Sequence, residues 1–135
     1  MFEKIVCKRI VNFLEENNLF NASQHGFRQG RSCLSQLLKH YDTILSYLER
    51  GINIDTIYLD FSKAFDKVDH TILLNKLKKL GITGKLANWI KSFLTNRTQT
   101  VIVNGVKTFA ASVVSGVPQG TVLRTILFLL MIGDY

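Results

Sequence analysis

The chain is poor in cysteine, proline and long apolar runs. Its 135 residues include two cysteines and one proline, and its longest apolar run covers the seven residues 126–132. A membrane-spanning helix needs roughly 20 apolar residues, so this length excludes one. Two cysteines give neither a disulfide framework nor metal-ligand spacing. We therefore expect no membrane association and an intracellular location, in the cytoplasm or the nucleus.

Acidic residues become scarce in the second half. The first 69 residues carry nine basic and nine acidic side chains, whereas from His70 onward eight basic residues accompany a single acid, Asp134. This half therefore holds the entire net charge of +7. A one-sided basic surface attracts polyanions, most often nucleic acid. A solvated lysine-rich helix face accounts for the same charge, so both interpretations stay open.

Hydrophobic periodicity predicts a mixed fold. Helical spacing covers residues 2–17, and capping signals predict helices from Ser32 to Gly51, from Asp69 to Gly81, from Thr83 to Asn96 and over 121–132. Strands are expected over 54–60, on both sides of Asn104-Gly105, and over 111–114. The pattern predicts one α+β domain, with helices packed on a small antiparallel sheet.

Asp60 stands where the predicted strand 54–60 ends. Asp66 and Asp69 follow it and suit a turn and a helix cap. A carboxylate at a strand tip is costly to desolvate unless a positive partner lies near it. Magnesium needs only one or two carboxylates beside phosphate oxygens and water. Asp60 is therefore a candidate magnesium ligand, and acids that simply face water are the alternative.

Two further polar segments stand out. Arg28 and Arg31 lie in a glycine-bounded segment before a predicted helix, where forked donors could clamp phosphate. A solvated loop with two surface arginines is the alternative. Residues 115–121 form a glycine-bounded loop with Gln119, whose backbone could approach a nucleotide or a strand closely; a tight turn is the alternative. No Ser-His-Asp or Cys-His arrangement is apparent.

The order of the motifs is more specific than any one of them. QHGFRQGRS, YLDFSKAFDKVDH, LLNKLKKLGI, WIKSFLTNRTQTVIVNG and SGVPQGTVL follow one another along the chain. Together they resemble the reverse transcriptase domain of non-LTR (LINE-like) retrotransposons, over nearly the whole length. The resemblance implies a partial right-hand polymerase fold, with residues 1–52 corresponding to the fingers and 53–135 to the palm.

The resemblance also implies roles for single residues. Asp60 corresponds to the catalytic aspartate that binds Mg²⁺, and the backbone of Phe61 to a group that helps to hold metal or triphosphate. Phe65 corresponds to the steric gate that excludes a ribose 2′-hydroxyl. Further nucleotide or template contacts are implied for Arg28, Arg31, Gln119 and Gly120. The implied partners are an RNA template, a DNA primer and deoxynucleoside triphosphates.

Two features depart from the family pattern. The Tyr/Phe-Ala-Asp-Asp hairpin that supplies the other metal-binding aspartates does not occur in these 135 residues, and Asp134 should not be promoted to that role. Arg124-Thr125 stands where the family usually has a small residue and proline. We expect the isolated chain to be catalytically inactive or nearly so, with a sheet edge and an apolar helix uncovered by the missing polymerase segments. A non-catalytic nucleic-acid-binding module is the alternative.

Overall fold

The computed structural model describes residues 2–133, so the assignment made for Asp134 lies outside the described residues. The chain divides into two compact units. One groups Met1–Arg9 with Lys63–Tyr135 and is called here the 63–135 unit, and the other, Ile10–Ser62, is called the 10–62 unit. The predicted division into fingers (1–52) and palm (53–135) stays a prediction.

Helices and short strands follow the expected order. The helices are α1 (Phe2–Glu16), α2 (Cys33–Leu48), α3 (His70–Lys79), α4 (Gly84–Leu94) and α5 (Leu123–Ile132). The strands are β1 (Arg97–Gln99), β2 (Ile102–Val103), β3 (Val106–Lys107) and β4 (Ala111–Val113). The α+β class is confirmed, but the strands form two separate two-stranded antiparallel sheets, β1–β4 and β2–β3, where one sheet was expected.

The 63–135 unit has a core of leucine and isoleucine from three helices. α3 packs against both α4 and α5. Its apolar stripe places Leu73 and Leu77 fully inside, and Asp69 caps its first turn by accepting a hydrogen bond from the Ile72 N–H at 2.9 Å. The other fully buried side chains of this core are Ile90, Leu94, Leu123, Leu127 and Leu130. Burial of such side chains contributes about 1.5–3 kcal/mol each.

The predicted hairpin is present. Asn104 and Gly105 both have positive φ, 49° and 80°, as a type I′ turn requires. Val103 pairs with Val106 across this turn, and Arg97 pairs with Val113 farther from it. We call residues 97–113, which contain both strand pairs, the ribbon. The ribbon carries the chain from α4 to the loop that precedes α5.

The 10–62 unit is much more open. Ser32 and Ser35 form a reciprocal capping box at the start of α2, as a capping serine was expected to do. None of the residues of α2 is buried, although its apolar face is well formed. The side chains on that face are all more than half exposed: Leu34, Leu37, Leu38, Tyr41, Leu45 and Leu48.

The predicted strand 54–60 is wrong for this structure. Residues 52–61 have no regular secondary structure and pair with no strand in the described part of the chain, and Ile57 and Leu59 are 83% and 90% exposed. The β-branched content of this segment reports fit to a pleated surface, whereas a strand requires a neighbour that supplies ladder hydrogen bonds. The Tyr58 hydroxyl lies 2.9 Å from His40 Nε2 on α2, and the Ile52 N–H donates to the Tyr47 carbonyl at 3.0 Å.

No helix in the part of the chain that the structure describes has the length and apolar character required to cross a membrane.

Candidate functional site

The aspartate motif 58–70 is divided between the two units, because the boundary falls between Ser62 and Lys63. In the 10–62 unit, Asp60 is exposed on the irregular segment 52–61 and makes no hydrogen bond or ion pair within the described residues. Phe61 is 63% exposed. A carboxylate in this setting is hydrated and able to accept a ligand.

On the other side of the boundary the motif folds into a turn. Lys63 adopts a left-handed conformation with φ of 54°, and its carbonyl accepts hydrogen bonds from the N–H groups of Asp66 and Lys67. The turn ends where Asp69 caps α3. The turn and cap roles predicted for Asp66 and Asp69 are thus confirmed, and Phe65 is presented from within the turn.

This turn is joined to the loop that precedes α5, and we call residues 63–69 and 115–119 the turn–loop joint. The Gly116 N–H donates to the Val68 carbonyl at 2.8 Å, and the Val117 N–H donates to the Phe65 carbonyl at 3.0 Å. The Gln119 side-chain amide donates to the Asp66 carboxylate at 3.2 Å. Two motifs about 50 residues apart are therefore held side by side.

Gly116 lies at the closest approach in this joint. Its φ is 81°, and a Cβ added there would lie 2.9 Å from both the Cα and the carbonyl oxygen of Asp66. Real Cβ atoms essentially never come so near to backbone, so the position requires glycine for space as well as for conformation. The close approach in the structure is to the backbone of Asp66, which lies in a turn, and the predicted approach to a nucleotide stays a prediction.

Two residues that hold the joint were not anticipated from the sequence. The Gly116 carbonyl accepts one hydrogen bond from His70 Nε2 and another from Arg97 Nη2, both at 2.8 Å. Because a carbonyl only accepts, His70 carries a proton on Nε2. Burial lowers the pKa of Arg97, which nevertheless remains a cation at neutral pH. No local pattern could identify these residues, since His70 is 46 positions from its partner.

Phe65 is held by two side chains from α5. Its ring centroid lies 4.8 Å from that of Phe128, at an interplanar angle of 51°. The guanidinium carbon of Arg124 lies 3.9 Å from the Phe65 centroid, over the ring. The residue that was aligned with the steric gate is therefore half-buried and fixed in orientation. Arg124, which marks a departure from the family pattern, contacts it directly.

A polar cleft of about 860 Å³ opens beside the joint. Its lining includes Lys63, Asp66, Arg97 and Gln119, together with backbone of the loop 115–118. The volume lies within the range of small-molecule sites, and the lining offers cations and amide groups. Such a surface suits a phosphate-bearing or hydrogen-bonding ligand better than an apolar one.

The two predicted phosphate-clamp arginines lie in the 10–62 unit and mainly brace their own loop. Arg28 donates to the Glu15 carboxylate through two nitrogens, at 2.6 and 3.0 Å, and to the Asn21 carbonyl at 3.1 Å. These bonds lower the pKa of Glu15, chiefly through the hydrogen bond from Arg28. Arg31 donates through Nη1 alone, to the carbonyls of Ala22 and Gln24. Arg31 keeps donors for a ligand, whereas all three Arg28 nitrogens are engaged.

The ligating side chains offer only part of a site for a divalent ion. Within residues 2–133, no three His, Cys, Asp or Glu side chains are grouped in a way that could hold a metal. Asp60 provides one hydrated carboxylate, which suits Mg²⁺ only if phosphate oxygens or further carboxylates complete the shell. The residues present therefore fit part of a magnesium site.

Comparison with known proteins gives the family. A model of the reverse transcriptase (RNA-dependent DNA polymerase) family matches residues 1–135. The chain belongs to the reverse transcriptase family. Its homologues are RNA-directed DNA polymerases of non-LTR retrotransposons, as the motif order indicated.

Three relatives illustrate the likeness of this reverse transcriptase chain. It is 32% identical to an RNA-directed DNA polymerase from mobile element jockey of Drosophila funebris, over 99% of this chain and 14% of that protein. It is 31% identical to a probable RNA-directed DNA polymerase from transposon X-element of Drosophila melanogaster, over 99% and 15%. It is 31% identical to a retrovirus-related Pol polyprotein from element R2 of Popillia japonica, over 95% and 18%.

This reverse transcriptase chain thus spans about one seventh of the length of the first two of these relatives. No solved structure matches it.

Proposed function

We propose that this chain forms part of the nucleotide site of a reverse transcriptase that copies an RNA template onto a DNA primer. The observation that carries the proposal is the turn–loop joint. It holds Phe65 and Asp66 against the loop of Gln119, and family membership gives both segments a role around the incoming deoxynucleoside triphosphate. The polar cleft beside the joint supports the same assignment.

Within this proposal each aligned residue has a role. Asp60 binds Mg²⁺, helped by the Phe61 backbone and the triphosphate. Phe65 excludes the ribose 2′-hydroxyl, and its packing against Phe128 supports that role because a gate must not move aside. Gln119 and Gly120 lie beside the incoming nucleotide and template base. The free nitrogens of Arg31 contact phosphate, and the bonds of Arg28 favour a bracing role over a second phosphate contact.

The proposed chemistry is an in-line attack of the primer 3′-hydroxyl on the α-phosphate. Magnesium ions, when bound, activate the attacking oxygen and stabilise the leaving pyrophosphate. One carboxylate is too few to hold two such ions, and loss of a key catalytic group typically costs several powers of ten in rate. We therefore propose that the isolated chain does not extend primers.

Primer extension tests the catalytic part. The chain and its Asp60→Asn variant are incubated with primed RNA, Mg²⁺ and labelled deoxynucleotides. We expect the two proteins to give the same background. Robust extension by the unsubstituted chain, abolished by Asp60→Asn, would show that one aspartate suffices and would refute the proposed inactivity.

Equilibrium binding of dTTP and of 5-methyl-UTP, which differs from dTTP only by its ribose 2′-hydroxyl, tests the site itself. With Mg²⁺ present, the chain is expected to prefer dTTP, and Phe65→Ala should reduce that preference because a smaller side chain admits the 2′-hydroxyl. Phe109→Ala serves as control, since Phe109 is 99% exposed on the ribbon. A preference for dTTP that is the same in both variants would contradict the role of Phe65.

A second candidate function is nucleic-acid binding without chemistry, and the distribution of charge favours it. Of the eight basic residues after Asp69, five are exposed lysines: Lys78, Lys79, Lys85, Lys91 and Lys107. Contacts from all five to duplex phosphates would give a slope of about −4.5 in log affinity against log salt. Fluorescence anisotropy with a labelled duplex over a salt series measures it, and affinity that does not fall with salt would remove this candidate.

A further inference from the structure

Arg124 is an isolated cation in an apolar element. It is the second residue of α5 and the only charged side chain in that helix, whose other members supply much of the core of the 63–135 unit. Its side chain is half-buried. Placing a guanidinium there has a desolvation cost that an exposed lysine does not have, so a compensating interaction is expected.

The compensating contact of Arg124 is with an aromatic ring, not with an anion. The guanidinium carbon lies over the Phe65 ring, 3.9 Å from its centroid, which gives a cation–π attraction. Within residues 2–133, Arg124 has no hydrogen bond and no carboxylate in ion-pair range. In contrast, Arg97 of the same unit donates to two carbonyls, and so does Lys76. The five N–H donors of Arg124 are thus oriented but unused.

We propose that Arg124 is a phosphate-binding residue and that Phe65 is its platform. A guanidinium held against a ring by this attraction loses little rotamer freedom when it binds, and its fork matches two oxygens of a phosphate. Partial burial strengthens the attraction relative to an exposed lysine. Two carboxylates of the same unit are engaged by other donors: Asp66 accepts from the Gln119 amide, and Glu3 accepts from the Val122 N–H, both at 3.2 Å.

This inference rests on the proposed function, because it identifies the phosphate as belonging either to a nucleoside triphosphate or to a nucleic-acid backbone. Both sources present the same oxygens to the fork. A phosphate on Arg124 would lie beside the ring that senses the sugar in the proposed site. The binding measurements below distinguish the two sources.

The test measures two affinities on the 135-residue chain. One uses a labelled RNA–DNA duplex in low salt, and the other uses dTTP with Mg²⁺. We expect Arg124→Gln to weaken the affected ligand roughly tenfold, as for loss of one charge-assisted bidentate contact. Arg50→Gln, which removes the same charge from an exposed turn after α2, should weaken either ligand less than about twofold. A loss confined to dTTP indicates triphosphate, and a loss confined to the duplex indicates backbone.

Two further variants separate a fork from a charge. Arg124→Lys keeps the charge but loses the planar fork, and we expect it to recover less than half of the lost binding free energy. Phe65→Leu changes no charge, yet it should weaken the same ligand and make Arg124→Gln less costly, because the platform is gone. Circular dichroism verifies that each variant remains folded.

The outcomes distinguish this inference from the proposed function. If Arg124→Gln binds both ligands as well as Arg50→Gln does, Arg124 is not a phosphate-binding residue, whatever the chain's affinity. Tighter binding by Arg124→Gln would also overturn the inference, since it would show that the guanidinium obstructs the site. If the unsubstituted chain binds neither ligand, the proposed function and this inference both fail.

Discussion

The helices α2 and α3 are both amphipathic, yet they have opposite surroundings. α3 buries Leu73 and Leu77 completely against neighbouring helices of the 63–135 unit. α2, in the 10–62 unit, buries none of its residues. The irregular segment 52–61 is also mostly exposed, and it carries Asp60. An apolar stripe therefore specifies which face of a helix needs a partner, while the partner itself depends on the rest of the fold.

The sharpest way to test this contrast is to shorten one leucine in each helix. Leu77→Ala should lower the free energy of unfolding by about 2–5 kcal/mol, because it removes a fully buried side chain and leaves a cavity. Leu38→Ala, from a side chain that is 62% exposed, should change it by less than about 0.5 kcal/mol. Urea unfolding followed by circular dichroism gives both values, and equal losses would refute the contrast.

A second test concerns the tightest backbone contact of the packed unit. Gly116→Ala should cost about 2–4 kcal/mol, since the new Cβ meets the Asp66 backbone at 2.9 Å and the backbone has positive φ. Gly105→Ala is the matched control: its φ is 80° and nothing lies within 4 Å, so only the conformational cost of about 1 kcal/mol applies. Indistinguishable losses would mean that the loop moves away from the turn freely.

The open face of α2 should promote self-association of the chain. Replacing Leu38 and Leu45 by lysine should reduce concentration-dependent association, because the two side chains belong to a continuous exposed apolar face. Sedimentation velocity over a range of protein concentrations measures the effect. Replacing Ile72 and Val101 by lysine is the matched control, since both are exposed and lie outside α2. An equal reduction in the control would assign the effect to added charge.

The smallest expected effects are pH dependences of the 10–62 unit. Burial and the charges of Arg31, Lys39 and Arg28 lower the pKa of His25 from 6.5, so the unfolded chain binds more protons just below that pH. Stability should fall as pH drops through 6.5 and level off below the folded pKa. His25→Gln should remove this slope, and thermal unfolding between pH 7.5 and 5 measures it. An unchanged slope in the variant would assign it to another group.

Glu15 adds a separate step at lower pH. Its pKa lies below the usual 4.5 because Arg28 donates to it, so the pair stabilises the fold above that value and is lost as pH falls through the folded pKa. Because Glu15 is partly exposed, water screens the pair and the loss should be about 1 kcal/mol or less. Thermal unfolding below pH 5 measures the step. Glu15→Gln should abolish it, and persistence of the step in that variant would contradict the assignment.

Much of the fold was accessible from sequence because it depends on local signals. The caps at Ser32 and Asp69 and the Asn104-Gly105 turn involve residues within a few positions of each other, and all three were confirmed. The strand 54–60 failed because it depends on a partner that local composition does not specify. His70 and Arg97 were missed for the same reason, since their shared acceptor, the Gly116 carbonyl, is distant in sequence.

The family assignment was also reached from sequence, through the order of several motifs, and it is confirmed. The contacts that the motif residues make could not be predicted from the sequence. The sequence placed Arg28 and Arg31 in one clamp, yet Glu15 engages one of them and carbonyls engage the other. The sequence showed that Arg124 departs from the family pattern. It could not show that the side chain lies over Phe65, because that contact depends on how α5 packs.

The contact between Gly116 and the Asp66 turn also bears on the order in which the chain folds. Ser115 and Asp66 are 49 residues apart. Closing a loop of that length costs about 3 kcal/mol of chain entropy, which the contacts formed at its ends must offset. α3, α4 and the ribbon lie within this loop and form from nearer contacts. The nucleotide-binding surface proposed here would therefore be assembled last, after the scaffold that carries it has formed.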